Sequence, residues 1–131
     1  KKKNFNKVIC GYAAFSKFDK KNNLNIPKVV FNSKNELIYI SRSAIPGSKN
    51  NKFNSFHKQV CIYAFNKSEL KLFTKFKKKP YLESVEDIEI LRFFELNKKI
   101  KMVKTEATSY AVDVFEDIKK VEKILKKRKW N

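Results

Sequence analysis

Short apolar runs alternate with lysine- and asparagine-rich breaks along this chain, and the apolar spacing shifts from strand-like to helix-like on the way. Residues 1–6 form a basic tail. Lys7-Val8-Ile9-Cys10-Gly11-Tyr12-Ala13-Ala14-Phe15 then predicts a strand. Lys20 to Asn25 is a polar loop, and Pro27-Lys28-Val29-Val30-Phe31 reads as a short strand. Asn32-Ser33-Lys34-Asn35 supplies turn chemistry, and Leu37 to Ser41 is the returning strand of a hairpin. Gly47 to His57 is a polar loop. Val60 to Phe65 is apolar at every position, which predicts a central strand covered on both faces.

Helical spacing follows. Asn66 or Ser68 caps a helix with Leu70, Phe73 and Phe76 on one face, and Lys77-Lys78-Lys79-Pro80 ends it. Ser84 is expected to cap a second helix with Asp87 as its capping-box partner and Val85, Ile88, Leu91 and Phe94 as its apolar stripe. Ile100 to Val103 and Tyr110 to Val112 read as strands. A last helix is expected from Phe115 to Arg128 with Ile118, Val121 and Leu125 inward; its acids at the start and lysines at the end suit the helix dipole. This order predicts an α/β layered fold, in which ligands sit beyond strand ends.

At 131 residues the chain is one domain or part of one, long enough for a real core. It opens on Lys1 and its sole Met is Met102, so a fragment of something longer is expected. No apolar run is long enough to span a membrane and no signal-peptide pattern is present, which makes the cytoplasm the expected compartment. The formal charge of +18 invites a nucleic-acid reading. The cations are nearly all Lys, however, with Arg only at 42, 92 and 128, and Lys, Asn, Ile and Phe together are what AT-rich codons supply. Base readout leans on the planar arginine fork, so no specific nucleic-acid partner is expected. Cys10 and Cys61 fit no zinc spacing, and Cys61 reads as a buried small hydrophobe. His57 reads as a surface loop residue. With Gly only at 11 and 47, no phosphate-cradling loop exists here.

Five residues can carry chemistry. Arg42, in Tyr39-Ile40-Ser41-Arg42-Ser43-Ala44-Ile45-Pro46-Gly47, stands at a strand end where a guanidinium can grip a carboxylate or phosphate with two parallel bonds; a strand-end salt bridge is the alternative. Asp113 can hold a divalent cation or cap the last helix. Glu89 sits among Ile88, Ile90 and Leu91, as an acceptor for a polyol or as the partner of Arg92. Glu83 and Glu86 fit the helix-dipole role. Tyr63 needs a hydroxyl partner if buried and is more often core than ligand. Gln59 is the polar residue that opens the apolar run.

Taken together, Pro27-Lys28-Val29-Val30, Ser41 to Pro46, Gln59-Val60-Cys61-Ile62-Tyr63-Ala64-Phe65, Leu82-Glu83 through Glu89-Ile90-Leu91-Arg92, and Val112-Asp113 through Ile118 resemble the C-terminal half of the sugar-acid cytidylyltransferases of the CMP-Kdo synthetase type. That resemblance implies a Rossmann-like nucleotidyltransferase fold, a mixed sheet with helices on both faces, and a homodimer. It implies CTP and a 2-keto-3-deoxy sugar acid as substrates, CMP-sugar and pyrophosphate as products, Mg²⁺ as the cofactor, and a role in lipopolysaccharide or surface glycan synthesis. Matched by position, Asp113 stands for the metal carboxylate, Arg42 for the arginine that meets the sugar acid, and Gln59, Tyr63 and Glu89 for the sugar pocket. A His is common in the family where Gln59 stands, a Gln where Ile90 stands, and Thr-Pro where Val114-Phe115 stands. These departures leave Kdo, an amino-Kdo and a related nonulosonate as alternatives for the sugar. The family's nucleotide loop and its Gln-Gly-Asp block have no counterpart in this sequence, so the chain alone is expected to be inactive. An inactive truncated paralogue and a cationic binding module are the competing functions.

Overall fold

The computed structural model describes residues 8–50, 55–106, 112 and 114–127. Its elements are β1 Val8–Ala14, β2 Lys28–Phe31, β3 Leu37–Ser41, β4 His57–Ala64, α1 Lys67–Phe73, α2 Tyr81–Glu86, a 3-10 turn Glu89–Leu91, α3 Arg92–Glu95, β5 Ile100–Lys104 and α4 Phe115–Lys127. The five strands form one sheet in the order β3-β2-β4-β1-β5. It is mixed: β1 runs antiparallel to β4 and parallel to β5.

The hairpin forms as its turn residues predict. Asn32 Oδ1 accepts from the Lys34 and Glu36 amides, both at 2.9 Å, and Asn35 takes a left-handed φ of 54°. Asn is among the few non-glycine residues that tolerate this region. The hairpin's far end meets β5, where the Met102 amide donates to the Asn35 carbonyl at 2.8 Å. Val8, Cys10, Val29, Leu37, Ile40, Ile100 and Met102 of the sheet pack with Ile88, Ile90, Leu91 and Phe93 of the helical segment into one core.

Three sequence expectations are corrected here. Val60 to Phe65 does lie in the middle strand, but it is not covered on both faces: Ile62 is 62% exposed. Cys61 is exposed as well, and the buried thiol is Cys10. The cause is a bulge. Gly11 faces Val60, yet the next residue back, Cys10, faces Tyr63, so Cys61 and Ile62 are extra and turn outward. Gly11 suits the place opposite it, because a Cβ there would stand 3.2 Å from the Val60 carbonyl oxygen and 3.2 Å from Thr105 Cγ2, so that its neighbours would have to give by a few tenths of an ångström.

The second correction concerns residues 80–95. Pro80, rather than Ser84, precedes the helix, and Asp87 closes it in the left-handed region at φ 51° instead of boxing a cap. The chain then restarts as the 3-10 turn and α3. This break folds Arg92 back onto Glu83: Nε reaches Oε2 and Nη2 reaches Oε1, both at 2.6 Å. Arg92 therefore pairs with Glu83 rather than Glu89, and Glu83, only 1% exposed, is an ion-pair partner and not a dipole ornament. The guanidinium also stacks 4.0 Å over the Phe73 ring and donates to the Phe73 carbonyl at 3.1 Å. Third, His57 belongs to β4 and not to a loop. It is half-buried between Tyr12 and Phe31, with ring centroids 5.3 and 5.1 Å away. Burial, and then the Lys104 charge, push its pKa below the ordinary histidine value.

Asn66 wins over Ser68 as the cap of α1, accepting from the amides of Ser68 and Glu69 at 2.9 and 3.0 Å. The expected strand at Tyr110 to Val112 falls almost wholly outside the described residues, and Val112 itself is not in a strand.

Removing one member of a buried bidentate pair strands the other charge, which costs about 3–5 kcal/mol. Glu83→Ala is expected to lose that much in urea unfolding, while Glu83→Leu combined with Arg92→Met recovers most of it. Equal stabilities of the single and double variants would refute a buried pair.

Candidate functional site

The β4 bulge builds the polar centre of the molecule. Residues four apart in a regular strand lie roughly 13 Å apart. Here the two extra residues shorten the path, and Gln59 Nε2 donates to the Tyr63 hydroxyl at 2.5 Å. Gln59 is buried and Tyr63 half-buried. The Cys10 thiol, buried nearby on β1, donates to the Gly11 carbonyl at 3.5 Å. Burial pushes the Cys10 thiol up to about 12, which keeps it neutral. Burial, together with the nearby Cys61, Cys10 and Glu89, likewise raises the Tyr63 phenol well above its ordinary value. Glu89 thus acts electrostatically on Tyr63. It is exposed, on the 3-10 turn, and not in the apolar setting its neighbours suggest.

Arg42 leaves the end of β3 and closes against the end of α2. Its Nε donates to the Glu86 carbonyl at 2.6 Å, Nη1 to the Leu24 carbonyl at 2.9 Å and Nη2 to the Asp87 carbonyl at 3.0 Å. Its own amide donates to Glu86 Oε2 at 2.8 Å. These bonds use three of the five N–H donors a guanidinium carries. Arg42 is thus a clasp between strand and helix, tied to backbone rather than to a carboxylate on its side-chain nitrogens. Glu86, assigned only a dipole role from sequence, is the acid that receives it.

Lys28 was missed by sequence reasoning because one more lysine draws no notice in a lysine-rich chain. Its one signal is the apolar Val29-Val30 beside it, which marks a covered strand. The side chain is fully buried, and Nζ donates to the carbonyls of Asn23 and Ile26, each at 2.9 Å, and to that of Arg42. Hydrogen bonds therefore join Arg42 to Glu86 and Asp87 on one side and to Lys28 on the other, and the main-chain amide of Gln59 donates to the carbonyl of Pro27, next to Lys28, at 3.0 Å. Asp113 lies outside the described residues. Among the described residues no group of His, Cys, Asp and Glu side chains forms a metal site, and no helix is long and apolar enough to cross a membrane.

A sugar-binding site needs side chains that both give and accept hydrogen bonds at fixed positions, and Gln59, Tyr63 and Glu89 offer that set. Comparison with known proteins gives the set its context. No protein-family model matches the chain. The 3-deoxy-manno-octulosonate cytidylyltransferase of Christiangramia forsetii is 38% identical over 104 residues, which is 79% of this chain and 42% of that protein. The enzyme of the same name in Parabacteroides distasonis is 38% identical over 75% of this chain and 41% of its own length. A solved CMP:2-keto-3-deoxy-manno-octonic acid synthetase complexed with CTP superposes with a TM-score of 0.78 at 27% identity, over 92% of this chain and 49% of that one. The chain resembles the C-terminal half of a CMP-Kdo synthetase. It spans about two fifths of the length of the curated CMP-Kdo synthetases it matches. The mixed sheet with helices is that of the nucleotidyltransferase fold.

The two thiols are expected to separate cleanly. At pH 8 an aromatic disulfide reagent labels Cys61 in the native chain, and Cys10 only after denaturation, since its neutral, buried thiol presents no thiolate. Rapid labelling of both in the native state would contradict the burial of Cys10.

Proposed function

We propose that this chain carries the acceptor-sugar half of a cytidylyltransferase, which joins CMP from CTP to a 2-keto-3-deoxy sugar acid of the Kdo class and releases pyrophosphate. The observation that carries this reading is the Gln59–Tyr63 hydrogen bond, in a chain 38% identical to a CMP-Kdo synthetase over 79% of its length. In the complete protein the anomeric hydroxyl of the sugar attacks the α-phosphorus in line, and pyrophosphate leaves from the opposite side. This chain's task is to hold the acceptor. Glu89 accepts from sugar hydroxyls, the Gln59 amide both donates and accepts, and Tyr63 fixes that amide. Arg42 offers its remaining N–H groups, and its charge, to the acid group of the sugar. Asp113 is the residue here that would hold Mg²⁺, a cation that binds few carboxylates and completes its shell with phosphates and water. The ion would neutralise charge building on the transferred phosphate. We further assign the complete protein to the cytoplasm, as a homodimer, in the synthesis of lipopolysaccharide or another surface glycan.

The test is binding followed by turnover. Kdo added to the ¹⁵N-labelled chain is expected to shift the Gln59 side-chain amide signals saturably, and Tyr63→Phe to weaken binding about three- to tenfold, the worth of one hydrogen bond. CTP plus Kdo is expected to yield no pyrophosphate above the blank with this chain alone. Saturable binding of CTP but not of Kdo would reject the acceptor-half reading.

A further inference from the structure

We propose that Lys28 is a positioning residue for the acceptor site, holding Arg42 and the 3-10 turn that carries Glu89 by binding three backbone carbonyls at once; this rests on the acceptor-half reading above. A buried ammonium with neutral acceptors is a costly choice, because an apolar side chain would pack there without desolvating a charge. The structure shows what the charge does instead. The three protons of Nζ meet the carbonyls of Asn23, Ile26 and Arg42, which lie in two segments far apart in sequence. Arg42 in turn donates to the carbonyls of Leu24, Glu86 and Asp87. The loop at 23–26 is thus bound from both sides, by Lys28 at Asn23 and Ile26 and by Arg42 at Leu24. Arg42 cannot shift along its strand without breaking the Lys28 contact. The end of α2 cannot shift without breaking the Arg42 contacts, and Glu89 follows Asp87, the residue that closes α2, by two positions. The neighbouring position on β4 is Lys58, paired with Lys28 in register, and Gln59 is next to it. Glu89 thus lies two residues from the Asp87 carbonyl that Arg42 binds, and the main-chain amide of Gln59 donates to the carbonyl of Pro27, between Ile26 and Lys28, while Gln59 in turn holds Tyr63.

Lys28→Met keeps the length of the side chain and removes the charge and the donors. Lys28→Arg keeps the charge but cannot aim three donors from one atom. Kdo affinity is measured for the wild-type chain and both variants, together with far-UV circular dichroism, melting temperature and the side-chain ammonium spectrum of wild type. The expected result is a folded Lys28→Met that binds Kdo at least tenfold more weakly, with its Arg42 Nε–H and Asp87 to Glu89 amide signals shifted, and a Lys28→Arg that recovers only part of the affinity. In wild type, one lysine ammonium signal exchanges slowly with water and disappears in both variants. A role in stability alone would lower the melting temperature and leave the Kdo affinity of the folded variant unchanged, and that result overturns the proposal. If Lys28→Met does not fold, Lys28→Arg decides: full wild-type affinity overturns it. A wild-type chain that binds no Kdo removes the acceptor-half reading and this proposal with it, and is told apart because wild type itself is silent.

Discussion

Two extra residues in the middle strand set what this molecule can do. Cys61 and Ile62 have no partners on β1, and their insertion draws Gln59 and Tyr63 close enough for a direct bond. A regular strand would have left those side chains on one face but far apart, with no shared hydrogen bond. The position across from the bulge is crowded for a side chain, and one of the chain's two glycines stands there. Its consequence on the other side is exposure: an apolar Ile62 and a thiol turn to the surface in the centre of a sheet. Bulges are common where a strand must re-aim a side chain toward a site. The re-aimed group here is a glutamine amide whose orientation is then fixed by a phenol.

Around that centre, order comes from cations that grip backbone. Both arginines among the described residues use the fork geometry that lysine lacks. Arg92 meets both oxygens of Glu83 and stacks on Phe73, which ties α1, α2 and α3 into one block. Arg42 spreads its donors over three carbonyls and so joins β3, the loop at Leu24 and the end of α2. In a chain otherwise built with lysine, these are positions where a point charge would reach one acceptor and leave the others unmet.

The legible and illegible parts of the sequence divide along this line. The strands around 8–14, 28–31, 37–41 and 100–104, the Asn32 to Asn35 turn and Asn66, one of two caps weighed, each follow from chemistry local to a few residues, and each stands where it was expected. The buried pair Glu83–Arg92 spans nine positions and exists only because Asp87 adopts a left-handed conformation that breaks the helix between them. From periodicity alone, Val85, Ile88 and Leu91 look like one continuous stripe, yet Val85 is 62% exposed while Leu91 is fully buried. Apolar spacing cannot register a break that preserves the rough period. Lys28 and Arg42 were illegible in a different way. Their partners are carbonyl oxygens, which every residue carries, so no partner residue type marks them. The site residues drawn from the family resemblance stand unevenly in space: Gln59 and Tyr63 share a hydrogen bond, Glu89 is exposed on the 3-10 turn, Arg42 is turned largely to structural bonds, and Asp113 lies outside the described residues.

The charge balance gives a reason for the preference for carbonyl partners. The chain has 31 Lys and Arg against 13 Asp and Glu, so most cations cannot have a carboxylate of their own. A cation needed for structure must then use neutral acceptors, and the carbonyls of a loop and a helix end are available wherever the fold brings them. The electrostatic result differs from an ion pair. A lysine held by three carbonyls is satisfied as a donor and feels the Glu86 charge only across space, whereas Arg92 is bonded to both oxygens of Glu83. Fixed cations without a bonded carboxylate raise the local potential for anions without moving when one arrives. For a pocket proposed to take an acidic sugar beside a nucleotide triphosphate, structural cations of this kind contribute to binding before any of them touches the ligand.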